Sequence, residues 1–246
     1  MDPGHENDVR TSAGRLYEEG QAIWDPADRW NVRKVREIDR FCRGLMPQLV
    51  ADNLRVLNAG AGSHRYEWMP SQAIYVDRFP AQLRGNPNGV VADLVDLPFE
   101  DGAFDLTVCV GSVLNYVSAL EALSELCRVL SDGGHLILHF ETSDSLEHLL
   151  TSRWHAPAAP LKTINSGRPD IIWVYSQAFI KRALTNLGMK IEKMKSFHIA
   201  SAALLRLGLP QQVAALAQPL DVVLRPLGIG ADDVILLAQK GGQHNA

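Results

Sequence analysis

Residues 55–63 read Arg-Val-Leu-Asn-Ala-Gly-Ala-Gly-Ser: a short apolar run that breaks into two glycines one residue apart, Gly60 and Gly62. Such a run predicts a strand entering a tight turn, because a residue without Cβ can bend sharply and let backbone approach a ligand. A helix after that turn would aim its free N–H groups at a carboxylate or phosphate. The pair alone also fits an ordinary turn. In a dinucleotide fingerprint a third glycine would fall at position 65, which is Arg65. Its bulk argues against the close helix–strand packing that pyrophosphate binders need.

Outward from this turn, short β-like runs recur at Arg55–Leu57, Ala73–Val76, Gly89–Ala92, Phe104–Val110, His135–Phe140, Lys190–Phe197 and Val234–Ala238. Helical spacing falls between several of them. Asp28 is placed to cap a helix from about Arg29, with Val32, Val35, Ile38, Phe41 and Leu45 inward and Pro47 as its stop. Ser118 and Glu121 read as a capping box for a helix over Ser118–Leu130, with Leu120, Leu123, Leu126, Cys127 and Leu130 on one face. Ser131-Asp-Gly-Gly134 reads as the turn into the next strand, and another helix is expected from Ser176 to Gly188, with Phe179, Ile180, Ala183, Leu184 and Leu187 inward.

Strands alternating with helices imply an α/β fold with a mostly parallel sheet covered on both faces. Ligands of such sheets bind beyond the carboxyl ends of the strands. Two acids sit where that edge should be. Tyr75-Val76-Asp77 ends the second strand and Val91-Ala92-Asp93-Leu94 the third. Each acid alone could cap a strand, but their placement after successive strands points to a shared ligand.

Composition narrows the function classes. The chain has 246 residues, 46% of them hydrophobic, and a formal charge of −4. That excludes an intrinsically disordered chain and gives no global attraction to nucleic acid. Cys42, Cys109 and Cys127 are odd in number and lack ligand spacing, so neither a disulfide framework nor a metal site is expected. The first thirty residues carry acids throughout and do not read as a signal peptide. The longest uncharged apolar stretch, Leu207–Leu220, is too short to span a bilayer and is broken by Gly208, Pro210 and Pro219, so no membrane span is expected. The expected localisation is cytoplasmic.

VLNAGAG (56–62), YVD (75–77), ADLVDLPFEDGAFDLTVCVGSVLNYV (92–117) and RVLSDGGHLIL (128–138) together resemble the class I S-adenosylmethionine-dependent methyltransferases of the small-molecule type. The resemblance covers residues 50–140 well and 173–194 more loosely. It implies a Rossmann-like, mostly parallel seven-stranded sheet with helices on both faces, an N-terminal helical arm or lid (1–50), a core (51–198 and 232–240) and a helical insertion before the last strand (199–231). It implies S-adenosyl-L-methionine as cofactor and a small-molecule methyl acceptor as partner. Gly60, Gly62 and the backbone of Ala59 and Ala61 would line the methionine part beside Asn58, Asp77 would hold the ribose hydroxyls, and Asp93 with Leu94 the adenine. Val110, Gly111 and Ser112 would pack beside them, and Arg78 is a further cofactor-binding candidate. The family usually has an acid where this chain has Asn58, which implies weaker cofactor binding and leaves a non-binding member conceivable.

Methyl transfer from a sulfonium needs the acceptor held in line more than it needs a catalytic triad. An oxygen acceptor, the favoured case, also needs a proton removed. His139 and Glu141, in HLILHFETSD, are the candidate bases; His139 reads equally as a core histidine. Tyr17, Trp24, Tyr66, Tyr116, His155 and Tyr175 are candidate acceptor-site residues. Trp24 and Trp30 could close over the cofactor or staple a helix. The Leu- and Ala-rich 199–231 segment could cap an apolar acceptor, form a homodimer interface or touch a membrane, the last being disfavoured by its lack of a basic face. Non-methylating chemistry on the same fold, and a non-catalytic regulatory role, stand as alternatives.

Overall fold

Along the central strands the side chains alternate between two apolar layers, and that alternation builds the sheet. Leu57, Ala59, Val76, Cys109, Leu136, Leu138 and Phe140 face one layer. Val56, Tyr75, Leu106, Val108, Val110, Ile137, Ile235 and Leu237 face the other. A strand with both faces covered requires this near-continuous apolar content. The computed structural model describes residues 17–19, 27–49, 53–165, 168–224 and 230–242.

The chain runs α1 (Arg29–Leu49), β1 (Val56–Ala59), β2 (Ile74–Asp77), β3 (Gly89–Val91), β4 (Phe104–Cys109), α2 (Ala119–Arg128), β5 (Leu130–Glu141), β6 (Ala158–Asn165), β7 (Arg168–Tyr175), α3 (Gln177–Asn186), β8 (Met189–Phe197), α4 (Ile199–Arg206), α5 (Gln211–Ala214), α6 (Asp221–Leu224) and β9 (Asp233–Lys240). The seven-stranded sheet has the order β3-β2-β1-β4-β5-β9-β8. Its first five strands pair in parallel, and β9 is antiparallel to both β5 and β8. The chain leaves β1 toward β2 and β3, then returns to lay β4 on the other side of β1. That reversal opens a crevice at the carboxyl ends of β1 and β4.

Helices cover both faces. α2 and α3 contribute Leu123, Leu126, Ile180 and Leu184 to the first layer, while α1 contributes Ile38, Phe41, Cys42 and Leu45 to the second. At the start of α1, Asp28 Oδ1 accepts the Trp30 N–H at 2.9 Å. Ser176 caps α3 by accepting the Phe179 N–H at 3.2 Å.

Several expectations are corrected. α1 continues past Pro47 to Leu49, because proline in a last turn forfeits a single amide bond. Ser118 makes no side-chain cap bond, so the capping box is not formed. Leu120 is 55% exposed, and Ala119 and Ala122 take its place on the inner face. Ser131-Asp-Gly-Gly134 lies inside β5 as a register shift against β4, rather than as a turn before it. No helix follows Gly62: the Ala61 N–H donates to Val76 O at 2.8 Å and the Gly62 N–H to Asp77 at 2.9 Å, so β2 consumes the amides that would have opened one. The β6–β7 hairpin, a separate two-stranded sheet, was not foreseen. It accommodates Pro160 and Pro169 because a two-stranded ribbon leaves outward amides that proline can replace.

Candidate active site

A cleft at the carboxyl edge of β1, β2, β3 and β4 is lined by Asn58, Gly60, Ala61, Gly62, Asp77, Arg78, Asp93, Leu94, Val110 and Gly111, all anticipated, together with Tyr17, Tyr66 and Tyr116. His64, Val76, Phe79, Ala92, Val113 and Val117 complete its wall. The glycine turn, both aspartates and the loop after β4 therefore converge on one space.

Asp77 organises the turn. Its Oδ2 accepts the Gly62 N–H and its Oδ1 the Phe79 N–H, both at 2.9 Å. Burial raises its pKa, and the two amide donors only partly offset that. Each oxygen keeps a further lone pair for a ligand. Asp93 Oδ1 accepts the Val95 N–H at 3.3 Å, and Arg78 Nη1 lies 3.8 Å from its carboxylate. Asn58 is 2% exposed and its Nδ2 is buried without a partner among the described residues. Asn58 lines the cleft, and an orphaned buried donor beside it fits a ligand acceptor, such as a carboxylate. Gly60 has φ +71°, and a Cβ there would stand 2.3 Å from Val113 Cγ1. Glycine is thus required both by the backbone and by Val113's close approach.

The segment that follows Asp93 is braced from α2. Arg128 donates to Leu97 O at 3.0 Å, Phe99 O at 2.8 Å and Asp101 at 2.8 Å. It also pairs with Glu125, which accepts the Leu97 N–H at 2.9 Å. This gives a physical reason for an arginine at the end of α2: one planar guanidinium satisfies several carbonyls of a turn that has no regular structure of its own. The sequence pattern contained Arg128 without revealing that role.

An aromatic group closes the cleft. Tyr17 stacks on Phe79 at 5.4 Å between ring centroids and meets Tyr116 edge-on at 6.0 Å. The Gln82 side chain donates to Tyr17 O at 3.0 Å. The Tyr116 hydroxyl donates to Asp170 of β7 at 3.1 Å, and burial keeps that phenol's pKa well above its usual value. Asp170 was not anticipated, because it reaches the site through the unforeseen hairpin.

Other anticipated residues lie elsewhere. His139 is fully buried away from the cleft wall. Its Nδ1 accepts the Ser112 N–H and its Nε2 faces Asp233 Oδ1, both at 3.0 Å. Burial depresses its pKa, and it is not among the residues that line the cleft. Glu141 is engaged by Lys34 Nζ at 2.5 Å and by the Ser112 hydroxyl at 2.8 Å, which removes it from the role of a free base. Ser112 points into this cluster rather than forming cleft wall, and Ala59 is buried in the sheet core. Tyr175 is 4% exposed with its hydroxyl on Val117 O at 3.0 Å, while His155 bonds Asp144 at 2.8 Å outside the cleft. Trp24 lies outside the described residues. Trp30 is a core anchor stacked on His198 at 4.1 Å.

Residues 57–138 match the methyltransferase domain family. A 57-residue stretch is 42% identical to an uncharacterized protein of Methanocaldococcus jannaschii, covering 23% of this chain and 25% of that protein. The match thus spans about a quarter of the relative's length. The fold is similar to that of Burkholderia thailandensis 1,6-didemethyltoxoflavin-N1-methyltransferase (14% identity, 98% of this chain and 91% of that one, TM-score 0.58). It is similar to Streptomyces coelicolor geranyl diphosphate C-methyltransferase (13%, 98% and 99%, TM-score 0.56). It is also similar to the cyclase SpnF (18%, 97% and 95%, TM-score 0.55). At these identities the likeness is one of fold. Among the described residues, no helix is long and apolar enough to cross a membrane.

Proposed function

Because residues 57–138 match the methyltransferase domain family and the fold is similar to that of methyltransferases over most of the chain, we propose that it transfers a methyl group from S-adenosylmethionine to a small or medium-sized metabolite, at oxygen. The observation that carries this reading is the convergence of Gly60, Gly62, Asp77 and Asp93 on one cleft with an orphaned Asn58 donor.

S-adenosylmethionine supplies, when bound, a methyl carbon already activated by its sulfonium sulfur. The chain has to hold and orient. Asp77 offers its remaining lone pairs to the ribose hydroxyls, with Arg78 beside it, and Asp93 accepts from the adenine amino group between Leu94 and Val113. Asn58, in place of the family's usual acid, donates to the carboxylate through Nδ2, while Gly60, Ala61, Gly62, Val110 and Gly111 line the methionine chain. Tyr17, Phe79 and Tyr116 form the aromatic wall against which an acceptor packs, with Tyr66 on the glycine-turn side. With His139 and Glu141 committed elsewhere, the Tyr116–Asp170 pair is the hydrogen-bonded group that would carry an acceptor proton away.

The 199–231 segment is read as an acceptor cap set against the arm: Gln212 bonds Arg29 N and Asp28, at 3.1 and 3.0 Å. Leu207, Leu216, Leu220, Val222 and Val223 remain exposed on it, and a homodimer contact would use the same residues.

Calorimetry with S-adenosylhomocysteine, followed by transfer of labelled methyl from S-adenosylmethionine into a metabolite extract, tests the proposal. Binding with label transfer supports it. Binding without any transfer favours non-methylating chemistry, a reading supported by the similar fold of SpnF, described as a cyclase. No heat with either cofactor form would leave the regulatory reading.

A further inference from the structure

We propose that Lys34 is a positioning residue that makes the docking of α1 and the shape of the loop after β4 a single event. The inference rests on the cofactor reading of the cleft. Lys34 is 5% exposed and reaches across from α1 to the carboxyl edge of the sheet. Its ammonium lies 2.5 Å from Glu141 Oε1 at the end of β5, 3.3 Å from Asp233 Oδ1 at the start of β9, and 3.3 Å from the Ser112 hydroxyl. Ser112 stands between Gly111 and Val113, both of which form cleft wall. One buried cation therefore touches three elements, one of which shapes the site.

Ser112 makes the connection specific. Its φ is +65°, a left-handed conformation that non-glycine residues adopt only when their surroundings over-determine it. Three contacts do so: its N–H donates to His139 Nδ1, its hydroxyl donates to Glu141 Oε1, and Lys34 donates to that hydroxyl. Lys34 also carries the local charge balance. Burial alone would lower its pKa, but Asp233 and Glu141 outweigh that and raise it, so the group stays cationic. Asp233 is in turn held below the usual carboxylate range despite its burial, by Lys34 and the His139 and His198 N–H groups. Without the ammonium, Glu141 and Asp233 would face each other as buried like charges, and Glu141 could not keep its place as acceptor for Ser112. The backbone of Glu141 would still be held, because Asn115 bonds both its N–H and its C=O at 2.9 and 3.0 Å. The change would therefore fall on the side-chain latch and the Gly111–Val113 loop, and leave the strand in place.

A coupling of this kind is reciprocal. If docked α1 stabilises the binding-competent loop, a ligand that selects that loop must stabilise docked α1 by the same factor. Ligand binding slows exchange through global unfolding whatever Lys34 does, so the coupling is read in α1 amides that exchange by local opening. Simple structural support from Lys34 would leave those unresponsive to ligand.

The test uses the full chain and S-adenosylhomocysteine as probe, with calorimetry for affinity and amide hydrogen exchange for α1. In the parent protein, S-adenosylhomocysteine is expected to slow exchange across residues 30–46. Lys34→Met is expected to weaken binding by about tenfold, within the usual range of coupling between sites, and to abolish the slowing. Lys34→Arg should recover part of both. Should Lys34→Met fail to fold, Ser112→Ala decides, since it removes the hydroxyl latch and leaves every charge in place; about fivefold weaker binding and an unresponsive α1 are expected. Binding within twofold of the parent in the folded variant, or an α1 response that survives unchanged, overturns the proposal. No binding by the parent protein overturns the cofactor reading as well, so the two failures are distinguishable.

Discussion

Gly60→Ala probes the turn on which the cleft is built, and its cost follows from two separate geometric facts. Gly60 has φ +71°, where an L-residue costs about 1–2 kcal/mol. The added Cβ would stand 2.3, 2.7 and 2.9 Å from the three branching carbons of Val113. Such approaches require a shift, and overpacking of this kind costs about 1–3 kcal/mol. The two sum to roughly 2–5 kcal/mol, measurable by urea unfolding. Val113→Ala removes the clash but leaves the backbone strain. On its own it should cost about 1 kcal/mol, because Val113 is only half-buried. The double variant should then be more stable than the sum of the singles implies by about 1–3 kcal/mol, with S-adenosylhomocysteine affinity partly restored. Additive single effects would refute the close contact. A Gly60→Ala variant as stable and as tightly binding as the parent would refute the role of the turn altogether.

Arg128→Ala should cost more than an ordinary surface change, about 2–3 kcal/mol, because it strips partners from Leu97 O and Phe99 O; hydrogen exchange should show the loss concentrated in residues 94–102. Asp77 has a raised pKa, and ribose recognition needs its ionised form, so S-adenosylhomocysteine affinity should fall as pH drops through that pKa, above the usual carboxylate value; Asp77→Asn should bind weakly and lose this dependence. Tyr116→Phe should lower kcat by about a hundredfold for an oxygen acceptor while sparing cofactor affinity, and an unchanged kcat would remove Tyr116–Asp170 from proton transfer. His148 is pushed down to about 4, by burial first and Arg153 second. The unfolded chain binds that proton more readily, so this contribution is complete above about pH 6.5 and is lost toward pH 4. His148→Gln should flatten that part of the pH–stability curve relative to the parent.

The strand runs of the main sheet were legible because apolar alternation and glycine breaks are local, and its seven strands overlap the expected ones; the β6–β7 hairpin was not among them. The glycine turn, Asp77 and Asp93 were legible for a related reason: in a parallel sheet, the residue just after a strand always lies at the carboxyl edge. The errors arose where a local signal competed with a distant one. Ser118 has the residue type of a cap, yet its side chain makes no cap bond. His139 and Glu141 sit at the expected edge, yet Ser112, Lys34 and Asp233 engage them from three other elements. Spacing could not reveal that Lys34, more than a hundred residues from Glu141, would meet it.

The sequence by itself determined which segments become the strands of the main sheet and which residues stand at the cleft's edge, since each follows from contacts within one strand–loop unit. Tertiary structure alone decided which of those residues are free to act. A carboxylate or imidazole is available for chemistry only if no remote donor has claimed it, and burial together with partners brought from far along the chain settles that.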